Sequence, residues 1–274
     1  MANITAAEVN KLRQQTGAGM MDCKNALTES AGDFEKAIDI LRKKGQKIAA
    51  NREGRDAKEG LVIAKTSNEG NRGVLIVLNC ETDFVAKNKE FIQLTDSIIE
   101  LAVENNPASI DNLKALPLNG TTVEEDITAL TGKIGEKITL SKYEVIESAR
   151  VIAYNHPGNR LATLVGLNNE TVDEQIGKDV AMQVAAMNPV AIDKDDVSKE
   201  IIERELEIGK EQAKQEGKPE NMLEKIALGK LNKFYKENTL LNQEYIKDSK
   251  KTIRQFLSET DKNLTVTSFK RFAL

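Results

Sequence analysis

Residues 62–79, VIAKTSNEGNRGVLIVLN, and residues 151–168, VIAYNHPGNRLATLVGLN, each place a Gly-Asn-Arg turn between two apolar runs. Apolar runs that flank a turn rich in Gly and Asn are typical of a β-hairpin. Each stretch leads into a helical segment that ends on Asn-Pro, at residues 106–107 and at residues 188–189. The sequence therefore predicts two similar hairpin-plus-helix units, which together form an antiparallel α+β core.

The beginning of the chain predicts three short helices. Thr5 and Glu8 have the spacing of a capping box at the start of the first helix. The second helix begins near Met20, after a Gly-Ala-Gly break, and carries apolar residues at spacings of three and four. The third helix begins at Asp33, and we expect Gly45 to end it, because glycine is the commonest residue just after a helix.

The polar residues 46–59 predict either a linker or a solvated helix. A cluster of cations in and beside this segment could contact RNA phosphates: Arg42, Lys43, Lys44, Lys47, Arg52 and Arg55. Acidic residues lie among these cations, and the cluster has no aromatic side chains on which bases could stack. A solvated surface is the favoured interpretation, and a salt-dependent RNA contact is the alternative.

The composition offers few of the groups that catalysis uses. The 274 residues include no Trp, a single histidine, His156, and two cysteines, Cys23 and Cys80. The chain has 39 Lys and Arg against 43 Asp and Glu, a formal net charge of −4, which lacks the positive field typical of nucleic-acid-binding proteins. Two cysteines cannot form a disulfide framework. The composition therefore points away from catalysis by the chain itself.

Features that determine the compartment favour the cytoplasm. The first residues lack the basic start and apolar run of a secretory signal, and the longest strongly apolar stretch, residues 74–78, is far too short to cross a membrane. Two cysteines without an evident pairing fit a reducing environment. We expect a cytoplasmic protein that does not contact a membrane.

Three patterns that could support chemistry are weak. Gly17-Ala18-Gly19 resembles part of a phosphate-binding loop, but it follows a helix, and Asp22 occupies the place of the third glycine, so a helix–helix turn is favoured. A dyad of Cys80 and His156 is conceivable, although a buried thiol at a strand end is favoured. No spacing fits a zinc site. We predict no cofactor and no metal.

Residues 193–237 predict a helical hairpin of coiled-coil type that is inserted into the second unit. A narrow apolar stripe with 4-3-4 spacing runs through dense charge, at Ile202, Leu206, Gly209 and Ala213. Gly217 and Pro219 then provide a helix stop and a restart. Two interpretations stay open: the two helices pack only on each other, or they form an arm for docking or dimerisation.

The segment ETDFVAKN, residues 81–88, lies between a predicted strand and a helix over residues 89–105. On one interpretation, Thr82 or Asp83 caps the helix and Phe84 packs on the core as a hydrophobic staple. On the other, the segment presents an acidic and aromatic finger to a partner. The residues alone favour the first interpretation.

Two long motifs, TGAGMMDCK at residues 16–24 and TDFVAKN at residues 82–88, resemble the two signatures of the bacterial elongation factor Ts family. The resemblance extends over essentially the whole chain. It implies a guanine-nucleotide exchange factor in translation elongation whose partner is the GTPase elongation factor Tu. The runner-up interpretations are an RNA- or ribosome-associated protein and a thiol-dependent enzyme that acts through Cys80.

The resemblance also implies which residues act on the partner. The Asp83-Phe84 pair, flanked by Thr82 and Val85, would intrude near the magnesium site of the partner. A second group, which would bind the partner elsewhere, comprises Leu12, Met20, Met21 and His156. The helical hairpin would match a coiled-coil arm that some members use for self-association, so a homodimer is possible.

The expected organisation has four parts. They are an N-terminal three-helix (UBA-like) domain with its linker over residues 1–56, a first core subdomain over residues 57–145, a second core subdomain over residues 146–192 and 238–274, and the inserted hairpin over residues 193–237. We expect no direct binding of nucleic acid, and no catalytic site in the chain itself.

Overall fold

The computed structural model describes residues 4–274, and the chain forms two compact units. The first unit contains the residues up to Ile63, together with Ile76–Tyr143 and Leu274. The second contains Ala64–Leu75 and Glu144–Ala273. Helices and small antiparallel sheets make up both, so the predicted α+β class is confirmed. Within the described residues, none of the helices combines the length and the apolar character needed to span a membrane.

The helices of the described residues are, in chain order, α1 (Ala6–Thr16), α2 (Met20–Glu29), α3 (Phe34–Arg52), α4 (Asp83–Ala86), α5 (Lys89–Asn105), α6 (Ile110–Ala115), α7 (Val123–Ile134), α8 (Glu174–Met187), α9 (Lys199–Gln215), α10 (Leu223–Asn238) and α11 (Ile253–Thr260). The strands of the same residues are β1 (Glu59–Thr66), β2 (Arg72–Cys80), β3 (Pro117–Leu118), β4 (Thr121–Thr122), β5 (Ile138–Glu147), β6 (Arg150–Asn155), β7 (Leu161–Leu167), β8 (Glu244–Tyr245), β9 (Asp248–Thr252) and β10 (Val266–Ala273).

The first three helices begin where the sequence predicts. Thr5 and Glu8 form the expected capping box at α1, and the Asp33 side chain accepts a hydrogen bond from the backbone N–H of Lys36 at the start of α3. The three helices share a small apolar core, formed by Val9, Leu12, Cys23, Ala26, Leu27 and Ala37.

The prediction that Gly45 ends the third helix is wrong. Helix α3 continues through Gly45 to Arg52, so the first half of residues 46–59, predicted as a linker or a solvated helix, is helical. Gly45 is buried and faces Gly132 of α7, where an added Cβ would lie 2.4 Å from the Gly45 Cα. This glycine therefore permits two helices to pack closely, a role that sequence alone does not distinguish from a helix stop.

The two predicted hairpins form two three-stranded sheets of related design. Their strand orders are β1-β2-β5 and β6-β7-β10, so the second strand of each hairpin lies in the centre, and a later strand completes the sheet. In the second sheet, β7 pairs antiparallel with both neighbours, with Ile152 opposite Val165 and Phe269 also opposite Val165. The short pairs β3-β4 and β8-β9 complete the sheets of the described residues.

The repeated Asn-Pro signature ends a helix in both units. Helix α5 spans the predicted residues 89–105, and it stops at Asn106, which has φ 47° and ψ 56°. Helix α8 stops at Asn188, with φ 45° and ψ 57°. Asparagine tolerates this left-handed conformation better than most residues, and the proline that follows prevents further helix. The two repeats thus share the residue and the backbone conformation that end their helices.

In the second unit, α8 packs on β6 and β7, and α9 packs on α10. The core under α8 is formed mainly by aliphatic residues, among them Ile152, Val165, Leu167, Val180, Val184, Leu240, Ile253 and Leu257. Helices α9 and α10 approach closely where Gly209 faces Ala227, and an added Cβ on Gly209 would lie 3.1 Å from the Ala227 Cα. The helical pair in residues 193–237 is therefore present, while its assignment as a coiled-coil arm stays a prediction.

Candidate functional site

The loop between β2 and α5 holds the second motif. Thr82 is the N-cap of the four-residue helix α4, and its hydroxyl oxygen accepts a hydrogen bond of 3.4 Å from the backbone N–H of Val85. Asn88 caps α5 in the same way through the N–H of Glu90, at 2.8 Å. The prediction that Thr82 or Asp83 caps the long helix is therefore wrong, because Asn88 caps it and Thr82 caps a separate short helix. The two caps give the segment between β2 and α5 an ordered backbone.

Phe84 does not pack on the core, so the predicted hydrophobic staple is wrong. Its side chain is 80% exposed, the largest exposed fraction among the exposed large hydrophobic residues of the described chain. Val85 and Ala86, on the same turn of α4, are buried instead. Because Val85 and Ala86 supply the inward face of this short helix, Phe84 is directed into solvent.

Asp83 adds a negative charge beside the exposed ring. Its carboxylate forms an ion pair of 2.6 Å with Lys87, one turn later, and both side chains are largely exposed. An exposed pair of this kind stabilises a helix only weakly, and competing partners can replace it. Asp83 and Phe84 therefore present a carboxylate and an aromatic ring side by side.

Two acidic residues to which the sequence analysis gave no supporting role hold the backbone at the start of this loop. The Glu136 carboxylate accepts hydrogen bonds from both the N–H and the hydroxyl of Thr82, at 3.1 Å and 3.0 Å. The Glu81 carboxylate accepts from the backbone N–H of Lys137 at 2.7 Å and pairs with Arg52 at 3.2 Å. No local pattern could have revealed these contacts, because they join residues at least 29 positions apart.

Cys80, immediately before the loop, is not a reactive nucleophile. Its thiol is buried and donates a hydrogen bond of 3.1 Å to the Thr82 carbonyl. Burial, with smaller contributions from the carboxylates of Glu136 and Glu59, raises the pKa of the Cys80 thiol to about 12. A thiol needs its thiolate form to attack a substrate, so the conceivable dyad with His156 lacks a nucleophile.

The first motif forms a helix–helix turn, as predicted. Gly17 ends α1 with φ 64°, and the Thr16 hydroxyl donates to the Leu12 carbonyl at 2.8 Å and accepts from the Ala18 N–H at 3.3 Å. Helix α2 then begins at Met20. The turn therefore places the N-terminus of α2 on the surface.

Met20 and Met21 lie on that surface, and their side chains are 52% and 64% exposed. Leu12, which the resemblance grouped with them, is fully buried in the core of the three helices. The two methionines are thus available to a partner, and Leu12 supports the helices beneath them.

Two of the six cations in the predicted basic cluster are paired within the first unit. Lys44 contacts Asp22 at 2.5 Å, and Arg52 contacts Glu81. These carboxylates reduce the positive charge that the cluster could offer to phosphates. The structure thus gives the RNA-binding interpretation less support than the sequence did.

His156 lies in the second unit, in the exposed turn between β6 and β7. Its backbone N–H donates to the Leu161 carbonyl, and its carbonyl accepts from the Asn159 N–H, both at 2.9 Å. The Nδ1 atom is 2.9 Å from the Tyr154 hydroxyl. The contact with Tyr154 holds the ring through Nδ1, and the residue as a whole is exposed. No group of three potential ligands among residues 4–274 could hold a metal ion.

Comparison with known proteins shows which family the chain is similar to. A family model described as Elongation factor TS matches residues 81–274. The elongation factor Ts of Amoebophilus asiaticus is 56% identical over 98% of this chain and 98% of its own length. The proteins of the same name from Cytophaga hutchinsonii and Porphyromonas gingivalis are 56% and 52% identical, with at least 98% of each chain covered.

Proposed function

The chain belongs to the elongation factor Ts family, and from this premise we propose that it is a guanine-nucleotide exchange factor for the GTPase elongation factor Tu. In this role it binds the GDP form of the partner during translation elongation and promotes release of the nucleotide. The observation that supports this proposal most strongly is the 80% exposure of Phe84 on a loop whose backbone is hydrogen-bonded on both sides.

The proposed action of the loop is mechanical and electrostatic. A GTPase of this class holds its nucleotide through backbone amides, a lysine and a magnesium ion that bridges the phosphates. Magnesium requires nearly ideal octahedral geometry, so a small displacement of its surroundings weakens binding sharply. Phe84 acts as a wedge near this magnesium site, and Asp83 competes for hydrogen bonds there. Thr82 holds this pair in place as the N-cap of α4, and Val85 holds it through its buried side chain.

Nucleotide release follows from coupled binding. If the chain binds the empty partner more tightly than the GDP form, the partner must bind GDP more weakly by the same factor when the chain is bound. Each tenfold decrease in nucleotide affinity requires about 1.4 kcal/mol of such coupling. Proton transfer has no part in this process, so the proposal includes no catalytic site and no cofactor in the chain itself.

Other exposed residues bind the partner outside its magnesium site. Met20 and Met21 contact its nucleotide-binding domain through their flexible side chains, which adapt to irregular surfaces. His156 contributes a further contact from the second unit. Leu12, buried beneath α2, acts by holding this helix rather than by touching the partner.

The arrangement of domains completes the proposal. Residues 1–56 form a UBA-like domain, residues 57–145 form the first core subdomain, and residues 146–192 and 238–274 form the second. Residues 193–237 form a coiled-coil arm, and pairing of two such arms gives a homodimer. The chain works in the cytoplasm, where its partner is, and binds neither nucleic acid nor membranes.

Release of labelled GDP from purified elongation factor Tu tests the proposal. We expect addition of the full chain to accelerate release at least about tenfold, which corresponds to a decrease of about 1.4 kcal/mol in the activation free energy of release. A release rate that does not depend on the concentration of the chain would reject the function. A gel shift against salt would reveal the RNA-binding alternative by a steep salt dependence.

A further inference from the structure

The Asp83-Phe84 loop begins at two residues whose positions are fixed from outside the loop. Thr82 donates its backbone N–H and its hydroxyl to the Glu136 carboxylate, which lies in the turn between α7 and β5. One residue earlier, the Glu81 carboxylate accepts the backbone N–H of Lys137 from that same turn, at 2.7 Å. Residues 81–82 and residues 136–137 thus form two neighbouring pairs. Each pair contributes one carboxylate, which accepts a backbone N–H of the other pair. We call residues 81–82 and 136–137 with these bonds the loop clasp.

The loop clasp continues to the end of α3. Both oxygens of the Glu81 carboxylate are 3.2 Å from a guanidinium nitrogen of Arg52, the last residue of α3. The Lys137 ammonium donates to the carbonyls of Glu53 and Arg55, at 2.6 Å and 3.0 Å. Glu81 is largely buried, with 16% of its side chain exposed. The clasp therefore joins the loop to two other segments of the first unit.

We propose that Glu136 and Glu81 are positioning residues for nucleotide exchange, which fix the backbone before Asp83 so that Phe84 is held rigidly as it meets the partner. This inference rests on the proposed function and names residues that the motif itself does not contain. Phe84 has little packing of its own, so its position depends on the backbone of Thr82 and on the buried Val85. A wedge that can yield transmits less strain to the partner than one whose base is fixed.

The bonds of the clasp suit this task. Hydrogen bonds from a backbone N–H to an ionised carboxylate are about twice as strong as those between neutral groups. Two of them, oriented in opposite directions, prevent the strand end from sliding along the turn after α7. The third connection, from Glu81 to Arg52, limits rotation of the same backbone about its own axis.

The Glu136→Ala variant tests the proposal by a saturation experiment. Release of labelled GDP from elongation factor Tu is measured against the concentration of the full chain. We expect the maximal rate to fall about tenfold, because the base of the wedge is no longer fixed. The half-saturating concentration should change less than about threefold, because the methionine contacts persist.

A matched control is present in the same chain. The Glu8 carboxylate accepts the N–H and the hydroxyl of Thr5, both at 2.7 Å, which is the pattern that Glu136 makes with Thr82. The Glu8→Ala variant should retain a maximal rate within about twofold of the unaltered chain. A purely structural role for Glu136 would lower the folded fraction and raise the half-saturating concentration, with the maximal rate unchanged, and this result would overturn the proposal.

Amide hydrogen exchange provides a readout that does not depend on the partner. In Glu136→Ala, exchange of the Thr82 amide should accelerate at least about tenfold, because its carboxylate acceptor is gone. Unchanged exchange would overturn the clasp. If Glu136→Ala does not fold, Glu81→Gln serves in the release assay, since the amide still fills the site but loses the ion pair with Arg52. Exchange is then followed at the Lys137 amide, which donates to Glu81 and should exchange faster once this acceptor has lost its charge.

The two proposals can fail separately. No stimulation of GDP release by the unaltered chain would reject the exchange function, and the positioning role with it. Stimulation by the unaltered chain, together with an unchanged maximal rate in Glu136→Ala, would reject the positioning role alone.

Discussion

At the scale of single residues, the loop places an exposed side chain next to a buried one. Phe84 is 80% exposed, and Val85, the next residue, is 6% exposed. Burial of Val85 and Ala86 anchors α4, so the short helix does not depend on Phe84 for its stability. An exposed aromatic ring that contributes little to folding is available for contact with a partner. The proposed wedge can therefore be altered without unfolding the chain.

Substitution of the exposed methionines should change the binding of the partner but not the stability of the chain. Replacement of both Met20 and Met21 by Ala should raise the half-saturating concentration for GDP release several-fold, since it removes apolar contact area from the proposed partner interface. The melting temperature should stay nearly constant, because substitutions at exposed sites usually change stability by less than about 0.5 kcal/mol. Met222→Ala, at a methionine that is 44% exposed in the helical hairpin, is the control and should change neither quantity. An unchanged half-saturating concentration in the double variant would reject the contact.

Leu12 should show the reverse behaviour. Its side chain is fully buried among the three N-terminal helices, so Leu12→Ala should cost about 3 kcal/mol of unfolding free energy. Urea unfolding followed by circular dichroism measures this loss. A variant that remains as stable as the unaltered chain, but binds the partner weakly, would show that Leu12 is a direct contact after all.

At the scale of elements, α3 and α7 pack through two facing glycines. A Cβ on Gly132 would lie 2.4 Å from the Gly45 Cα, a distance that backbone atoms do not tolerate. Gly132→Ala should therefore destabilise the first unit by about 2 kcal/mol through overpacking.

Gly229 is the matched control for this substitution. It also lies inside a helix, α10, but an added Cβ there meets nothing within 4 Å. Gly229→Ala should stabilise the chain by up to about 1 kcal/mol, the ordinary helix preference of Ala over Gly. Thermal melts of both variants test the packing, and equal shifts of the same sign would contradict it.

A buried carboxylate connects α8 to the β8-β9 hairpin. Asp179 accepts hydrogen bonds from the Tyr245 hydroxyl at 2.6 Å, and from Lys247 and Gln175 at 2.7 Å. Burial alone would raise the pKa of Asp179, but these donors together lower it below its usual value. The donors therefore stabilise the ionised form more than burial destabilises it.

This lowered pKa makes the stability of the second unit depend on pH. A group whose folded pKa lies below its unfolded value, near 3.9 for Asp, stabilises the fold above that value and loses its contribution as pH falls through the folded pKa. At pH 7, Asp179→Asn should cost about 2 kcal/mol, because hydrogen bonds to a charged group are lost. Urea unfolding of both proteins should show this difference shrinking as the pH falls below about 4. A difference that is constant with pH would contradict the role of the charge.

Local patterns predicted the elements of this fold better than their packing. The caps at Thr5 and Asp33 depend on neighbouring residues, and the sequence located both. The sequence did not predict the short helix α4, so Thr82 was assigned to the wrong helix. The role of Gly45 depends on Gly132, which is distant in the chain, so its prediction as a helix stop was wrong. Whether an apolar residue beside a cap packs inward likewise depends on the space left by its neighbours, and Phe84 was misjudged for that reason.

The sequence named the residues of the candidate loop but not the residues that support its backbone. The resemblance implied roles for Asp83 and Phe84, which stay predictions, whereas the carboxylates of Glu81 and Glu136 have no signature of their own. They meet the loop only because the turn after α7 folds beside it. A single sequence contains no measure of such contacts.

At the scale of the whole molecule, the small number of reactive side chains is compatible with a protein that acts by binding another protein. The chain has one histidine, and its Cys80 thiol has a pKa raised to about 12, mainly by burial. On the proposed account, the magnesium ion and the phosphates belong to the GTPase, and the chain contributes shape and binding energy. A net charge of −4 suits a factor that binds a protein rather than a polyanion.

The most direct test of this account is the rate of GDP release from elongation factor Tu, measured against the concentration of the Phe84→Ala chain. If Phe84 is the wedge, the maximal rate should fall at least about tenfold, an increase of about 1.4 kcal/mol in the activation free energy of release, while the half-saturating concentration stays within about threefold. Ile246→Ala, at an exposed isoleucine of the second unit, should match the unaltered chain in both quantities. A Phe84→Ala chain that reaches the unaltered maximal rate would contradict the account.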